Sequence, residues 1–137
     1  MTPFPLKIVT PDGIKYDGQA EELVVRTTSG DLGIMAGHTP IIAPLGMGRA
    51  TVIIDGQKRY GACIGGMVAV VNGHVDLVPT SFEWAEDIDA ERVGRSLAQA
   101  QETLNRKDAS ETDLRLAKAR LHRALVRQNV VSTNNTQ

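Results

Sequence analysis

The chain is predicted to be mainly β with an α-helical end: a β-sandwich or flattened barrel of roughly eight to ten strands over residues 1–84, then an antiparallel two-helix hairpin over residues 85–137. Three observations predict this division. Residues 6–80 are a succession of short apolar and β-branched runs interrupted at close intervals by Gly, Pro, Asp and Asn. The dipeptides Asp55-Gly56 and Asn72-Gly73 are of the type that closes two-residue hairpins. Beyond Trp84 the composition shifts to Ala, Leu, Gln, Glu and Arg, with apolar residues recurring at three- and four-residue intervals.

In chain order, Leu6 and Ile8 alternate with Lys7, and Pro11-Asp12-Gly13 supplies a turn before Ile14–Tyr16, which makes an opening hairpin. Glu22–Thr27 is a β-branched strand. The stretch Thr28–Pro44 interrupts the series with Gly30, Gly33, Gly37, Pro40, Pro44 and His38. It is read as a compact loop built around Leu32, Ile34 and Met35, whose apolar side chains dock on the scaffold. An ordered loop of this kind is a place for partner contacts, or else a plain crossover between two sheets. Ala50–Ile54 and Gln57–Cys63 flank the Asp55-Gly56 turn, and Met67–Val71 and His74–Val78 flank Asn72-Gly73. Gly65-Gly66, between the two hairpins, predicts a bulge or a close backbone approach.

Asp87 or Asp89 is a natural N-cap for a first helix, whose apolar face is Val93, Leu97, Ala100 and Leu104. Asn105–Ala109 breaks the pattern, and Ser110-Glu111-Thr112-Asp113 matches a capping box that starts a second helix. The predicted stripe there is Leu114, Ala117, Leu121 and Leu125. Each helix is read as about 18 residues, the pair lying antiparallel, with the polar tail Ser132–Gln137 frayed. Charge along the hairpin is polarised. Glu86–Asp113 carries eight acids and four bases, whereas Leu114–Gln137 carries Arg115, Lys118, Arg120, Arg123 and Arg127 with no acid. Arg120, Arg123 and Arg127 fall on one helical stripe. Such cations favour the helix macrodipole on a solvated face, or meet an anionic partner, either acidic protein or phosphate.

Several function classes are excluded or disfavoured. The net charge of −1 offers no overall attraction to nucleic acid or anionic membrane. A single cysteine, Cys63, rules out an intramolecular disulfide and reads as a small buried hydrophobe. No apolar run has the length of a transmembrane helix, so any membrane association is expected to run through partners. The start Met1-Thr2-Pro3-Phe4-Pro5 lacks the features of a signal or transit peptide, which favours a bacterial or organelle-encoded origin. There is no phosphate loop, no H-E-x-x-H, no C-x-x-C and no G-x-S-x-G, and the three histidines are too scattered to chelate a metal. The expectation is a chain with no active site, no metal and no cofactor of its own.

Three segments, S-G-D-L-G-I-M-A-G-H-T-P-I-I-A-P-L, I-G-G-M-V-A-V-V-N-G-H-V-D-L-V and A-E-D-I-D-A-E-R-V, resemble in order and spacing the epsilon subunits of rotary F-type ATP synthases, over about Pro5–Val130. The resemblance implies a ten-stranded β-sandwich at the foot of the rotor of a proton-translocating synthase, contacting the gamma subunit and the membrane c-ring, on the cytoplasmic face of a bacterial membrane. It implies contacts by Asp31 toward the c-ring and His38 toward gamma, with Gly33 and Gly37 structural. It also implies a hairpin that either folds down on the sandwich or extends along gamma. Extended, its basic helix, here Arg115, Lys118, Arg120, Arg123 and Arg127, meets acidic surface of the beta and alpha subunits and blocks ATP hydrolysis.

Some bacterial members similar to this chain bind ATP as a regulatory ligand through an I-D-x-x-R-A motif. Here the residues are Ile88-Asp89-Ala90-Glu91-Arg92-Val93, with Val93 departing from the alanine. Carried over, Glu83 and Asp89 would accept hydrogen bonds from adenine or ribose, while Arg92, Arg123 and Arg127 would hold phosphates; the plainer reading is that Asp89 only caps its helix. The alternative function is an independent module binding nucleic acid or acidic protein through the same basic stripe. No aromatic residue interleaves those cations for base stacking, and the sandwich is acidic, so no nucleic-acid partner is expected.

Overall fold

The structure, a computed structural model, describes residues 1–136. Ten strands form two five-stranded sheets: β1 (Phe4–Thr10), β2 (Gly13–Ala20), β3 (Glu22–Thr27), β4 (Gly30–Ile34), β5 (Ile41–Pro44), β6 (Met47–Ile54), β7 (Gln57–Ile64), β8 (Met67–Val71), β9 (His74–Val78) and β10 (Ser81–Trp84). One sheet runs β2-β1-β9-β8-β5 and the other β10-β7-β6-β3-β4. Pairing is antiparallel except between β1 and β9. The sheets face each other across one core, because strict alternation leaves Leu6, Ile8, Leu23, Val25, Val68 and Leu77 on the inner faces with essentially no exposure. This is the predicted sandwich, not a closed barrel.

The turn chemistry behaves as read. Asp55 and Gly56 take φ of 51° and 74°, Asn72 and Gly73 take 51° and 78°, and each pair closes a ladder that continues to its last residue. The paired glycines lie where the chain leaves one sheet for the other between β7 and β8. A Cβ at Gly66, whose φ is +94°, would collide with the Val78 carbonyl oxygen. The Thr28–Pro44 stretch proves to be the crossover between sheets. The compact loop is corrected: residues 28–29 are the turn after β3, Gly30–Ile34 is β4 at the edge of one sheet, Ile41–Pro44 is β5 at the edge of the other, and residues 35–40 are the irregular link between them. Ile34 is buried and Leu32 packs against the core, but Met35 is half exposed and does not dock.

After β10 a short 3-10 turn, Ala85–Asp87, leads to α1 (Ala90–Asn105) and α2 (Glu111–Asn135). Asp89 is the N-cap of α1, and Ser110 with Asp113 forms the full capping box of α2. Two expectations are corrected. α2 has 25 residues rather than about 18, and the segment from Ser132 to Asn135 continues the helix instead of fraying. The single stripe on α2 is also replaced by two. Ala117 and Ala124 are buried on the side of α1, while Val126 and Val130 are buried against the sandwich, and Leu125 is 47% exposed. At about 3.6 residues per turn these pairs lie on well-separated faces, so a helix gripped on two sides shows no single apolar stripe in its sequence.

Candidate functional site

The hairpin lies down on the sandwich chiefly through α2, which crosses β6, β7 and the 3-10 turn; α1 packs on α2. The seat is small. Val126 and Val130 fit against Tyr60, Ala62 and Ala85, with Met47 and Ile88 beside them. Each valine contributes about 1.5–3 kcal/mol of burial. Polar clasps flank the strip. On one side Arg127 Nε donates to Glu83 Oε1 at 2.6 Å, with both side chains partly buried. On the other, Arg49 donates to Thr133 Oγ1 at 2.8 Å and to Asn129 Oδ1 at 3.3 Å. Neither Arg49 nor Tyr60 was identified from sequence, and the tail predicted to fray supplies Thr133. Open space lies on both flanks of α2, and the larger cavity, about 680 Å³, runs between its His122–Leu125 side and the outer face of β3 and β6.

The other cavity, about 500 Å³, lies in the corner bounded by the sandwich, α1 and α2. It brings together four of the five residues assigned to a nucleotide: Glu83 from β10, Asp89 from the connection, Arg92 from α1 and Arg127 from α2. Arg127 reaches it because its position on α2 falls between the face turned to α1 and the face turned to the sheet. Arg123, one turn earlier, is half-buried and is not part of the wall. Asp89 Oδ1 accepts from the Arg92 backbone N–H at 3.1 Å, so the capping role is realised. Asp12 and Lys15, missed by sequence reasoning, enter the wall from the opening hairpin, 69 residues from Trp84, whose indole Nε1 donates to the Lys15 carbonyl at 3.1 Å. With Asp87 the wall holds three cations and four carboxylates, two of the latter already engaged by Arg127 and the helix cap.

At the root of the hairpin Arg59 lies over the Trp84 ring, 3.9 Å from its centroid, and donates to Glu86 Oε1 at 2.6 Å. Burial pushes the Glu86 carboxyl upward, but a backbone N–H and the Arg59 guanidinium more than offset it and hold the group below its ordinary value. The junction is therefore pinned to β7 by Arg59, next to the place where Tyr60 and Ala62 of the same strand seat α2.

Of the basic stripe, Arg115, Lys118 and Arg120 are exposed, Arg123 is half-buried and Arg127 is bound to Glu83. Asp31 is exposed at the tip of the β3–β4 hairpin and pairs with Arg26 at 2.9 Å. His38 lies past the other end of β4, its ring Nδ1 2.7 Å from the Thr39 carbonyl oxygen, which can only accept the bond. The structure thus separates Asp31 and His38, and neither is buried. Gly37 needs its φ of +82°, whereas a side chain at Gly33 would meet open space, so the expectation of a structural Gly33 is corrected. Burial pushes the Cys63 thiol up to about 12, which leaves it inert in the folded chain. No group of three or more His, Cys, Asp or Glu side chains is placed to hold a metal among the described residues, and no helix is long and apolar enough to cross a membrane.

Residues 3–85 match the family described as "ATP synthase, Delta/Epsilon chain, beta-sandwich domain", and residues 86–132 match "ATP synthase, Delta/Epsilon chain, long alpha-helix domain". The chain is 40% identical over 130 residues to the ATP synthase epsilon chain of Bacillus velezensis, covering 95% of this chain and 98% of that one. It is 44% identical over 115 residues to that of Bacillus subtilis, covering 84% and 86%. Among solved structures, a chain of the Euglena gracilis mitochondrial ATP synthase (OSCP/F1/c-ring) superposes with a TM-score of 0.83 at 21% identity, covering 96% of this chain and 82% of that chain. One from the Tetrahymena thermophila mitochondrial ATP synthase (central stalk/c-ring) gives 0.59 at 13%, covering 93% and 95%. At those identities the structural likeness speaks for the fold alone.

Proposed function

The chain belongs to the ATP synthase epsilon-chain family, and we propose that it is the non-catalytic central-stalk subunit of a proton-translocating F-type enzyme, docking on gamma and the c-ring and restraining ATP hydrolysis through its hairpin. The observation that carries the regulatory reading is the seat of α2: two valines and two polar clasps hold a 25-residue helix whose flanks are open. A contact of a few kcal/mol is what an element needs if a partner is to lift it. Asp31 and His38, accessible at opposite ends of β4, are the proposed contacts to the c-ring and to gamma. The chain would then sit on the cytoplasmic face of a bacterial membrane, attached only through its partners.

Lifted, α2 would present Arg115, Lys118, Arg120, Arg123 and Arg127 to acidic surface of the beta and alpha subunits, and Arg127 would exchange Glu83 for a partner carboxylate. Lying down, the hairpin encloses the corner cavity, whose size suits a nucleotide and whose wall carries Glu83, Asp89, Arg92 and Arg127. ATP bound there would favour the lowered state by RT ln(1 + [L]/Kd), about 2.7 kcal/mol at a hundredfold excess. With no phosphate loop it would be recovered intact.

Neutralising Arg120, Arg123 and Arg127 together, in the assembled enzyme, is expected to raise ATP hydrolysis about fivefold or more while Cys63 stays protected in a folded sandwich. An unchanged rate with the mutant subunit present in the complex overturns the inhibitory role.

A further inference from the structure

Lys15 departs from the regular ladder of its strand. Between β1 and β2 the register passes from Ile8 opposite Tyr16 to Val9 opposite Ile14, so Lys15 is the extra residue of a β-bulge. Bulges turn a side chain out of the regular alternation, and this one is held by the buried Trp84, whose indole Nε1 donates to the Lys15 carbonyl. The side chain lines the corner cavity, is half-buried, and has no carboxylate partner among the described residues.

A thermodynamic requirement gives this placement a purpose. A ligand shifts the hairpin only to the extent that it binds the lowered state better than the lifted one. Arg92 and Arg127 both travel with the helices, and a nucleotide held by them alone would leave with them and shift nothing. Some sandwich group must also hold the ligand. Of the charged groups the sandwich contributes to the wall, Asp12 and Glu83 are carboxylates that repel phosphate, and Glu83 is already bonded to Arg127. Lys15 is the one cation.

We infer that Lys15 is a phosphate-binding residue of the corner cavity, supplied by the sandwich so that a nucleoside triphosphate bridges it to the arginines of the hairpin; this rests on the proposed nucleotide reading of the cavity. The bridge ties the phosphate end of the ligand to the sandwich, as Glu83 would its adenine or ribose end, and so strengthens the preference of the nucleotide for the lowered hairpin.

The test is calorimetric titration of the full chain with ATP, comparing the unmodified protein with Lys15→Gln, Lys15→Arg and, as a control on an exposed lysine of β1, Lys7→Gln, with amide exchange of α2 measured in parallel at saturating ATP. Lys15→Gln is expected to weaken ATP binding about tenfold, and Lys15→Arg and Lys7→Gln to stay within about threefold of the unmodified chain. ATP is expected to slow α2 exchange in the unmodified chain and to do so far less in Lys15→Gln. Equal affinity of Lys15→Gln and the unmodified chain overturns the inference and leaves the nucleotide reading standing. A Lys15→Arg variant as weak as Lys15→Gln also overturns it, since the charge is then not what matters. No binding by the unmodified chain at millimolar ATP removes the nucleotide reading and this inference with it.

Discussion

The sandwich closes on seventeen mutually packed buried residues, whereas the hairpin is joined to it by a cluster of five, of which α2 supplies only Val126 and Val130. The two contacts also differ in kind. Inside the sandwich, Leu23, Val25, Ile34, Leu77 and their neighbours are covered on every side and the buried polar atoms are satisfied, so opening any part costs the whole core. At the seat of α2 the apolar strip is one turn of helix wide, and its rim is made of Arg127–Glu83 and Arg49–Thr133, bonds that water or another protein can replace. The lesson is that one chain can carry a domain closed on a full core beside one held by a narrow seat, by distributing its buried apolar side chains unequally. The hairpin's own integrity is separate again: Val93, Ala100, Ala117 and Ala124 are buried even though α1 hardly touches the sandwich.

The largest expected effect is in the sandwich. Leu77→Ala removes a side chain with no exposure, and should destabilise the fold by about 2–5 kcal/mol in denaturant titration, with Cys63 becoming reactive to a thiol reagent at correspondingly lower denaturant. Reactivity of Cys63 in the unmodified native chain would break the comparison, because it requires a sandwich that opens as readily as the hairpin.

A smaller and more local effect is expected at the seat. Val130→Ala takes two methyl groups from a fully buried position and should cost about 1–2 kcal/mol. That loss should appear as faster amide exchange along α2 while the denaturation midpoint of the sandwich stays in place. A matching fall in the sandwich midpoint would show that the two domains unfold as one and that the seat is part of the core.

The smallest effect concerns the junction between sandwich and hairpin. Glu86 is held below its ordinary value of 4.5 by a backbone N–H and Arg59, so the folded junction gains stability that is fully present above that value and is lost as pH falls through the lowered one. Emission of Trp84, stacked under Arg59, should be constant from neutral pH down to about 4.5 and change only below it, and Glu86→Gln should abolish this acid limb. Both side chains are more than a third exposed, which keeps the contribution to stability small. A Trp84 transition near neutral pH would mean that another group governs the junction.

Much of the architecture was legible because its causes are local. Asp55-Gly56 and Asn72-Gly73 demand turns wherever they occur, alternation assigns inner and outer faces, and Ser110 with Asp113 caps a helix without help from the rest of the chain. The division near Trp84 follows from the change of period. The length of α2 was not legible, since Ser132–Asn135 is polar by composition and is held helical in company with Arg49, 84 residues away from Thr133. Its apolar pattern misled for the same reason: Ala124 and Val126 answer to different neighbours, and a single-stripe reading averages them.

What the sequence determined by itself is therefore most of the strands and the existence of both helices, the change of composition near Trp84, the lack of a recognisable catalytic or metal-binding motif, and the family, through motifs carried in contiguous segments; β4, β5 and β10 were not legible as strands. Only the tertiary structure decided which face of α2 meets the sandwich, that Arg127 is bound by Glu83, that Asp31 and His38 stand at opposite ends of β4, and that a bulge in β2 turns Lys15 into the corner cavity. The physical reason is range. Turns, caps and periodicity are settled within a few residues, whereas a cavity is made by what the chain returns to: Lys15, Glu83, Arg92 and Arg127 have no relation in sequence and acquire one only where the sandwich, α1 and α2 close on the same corner.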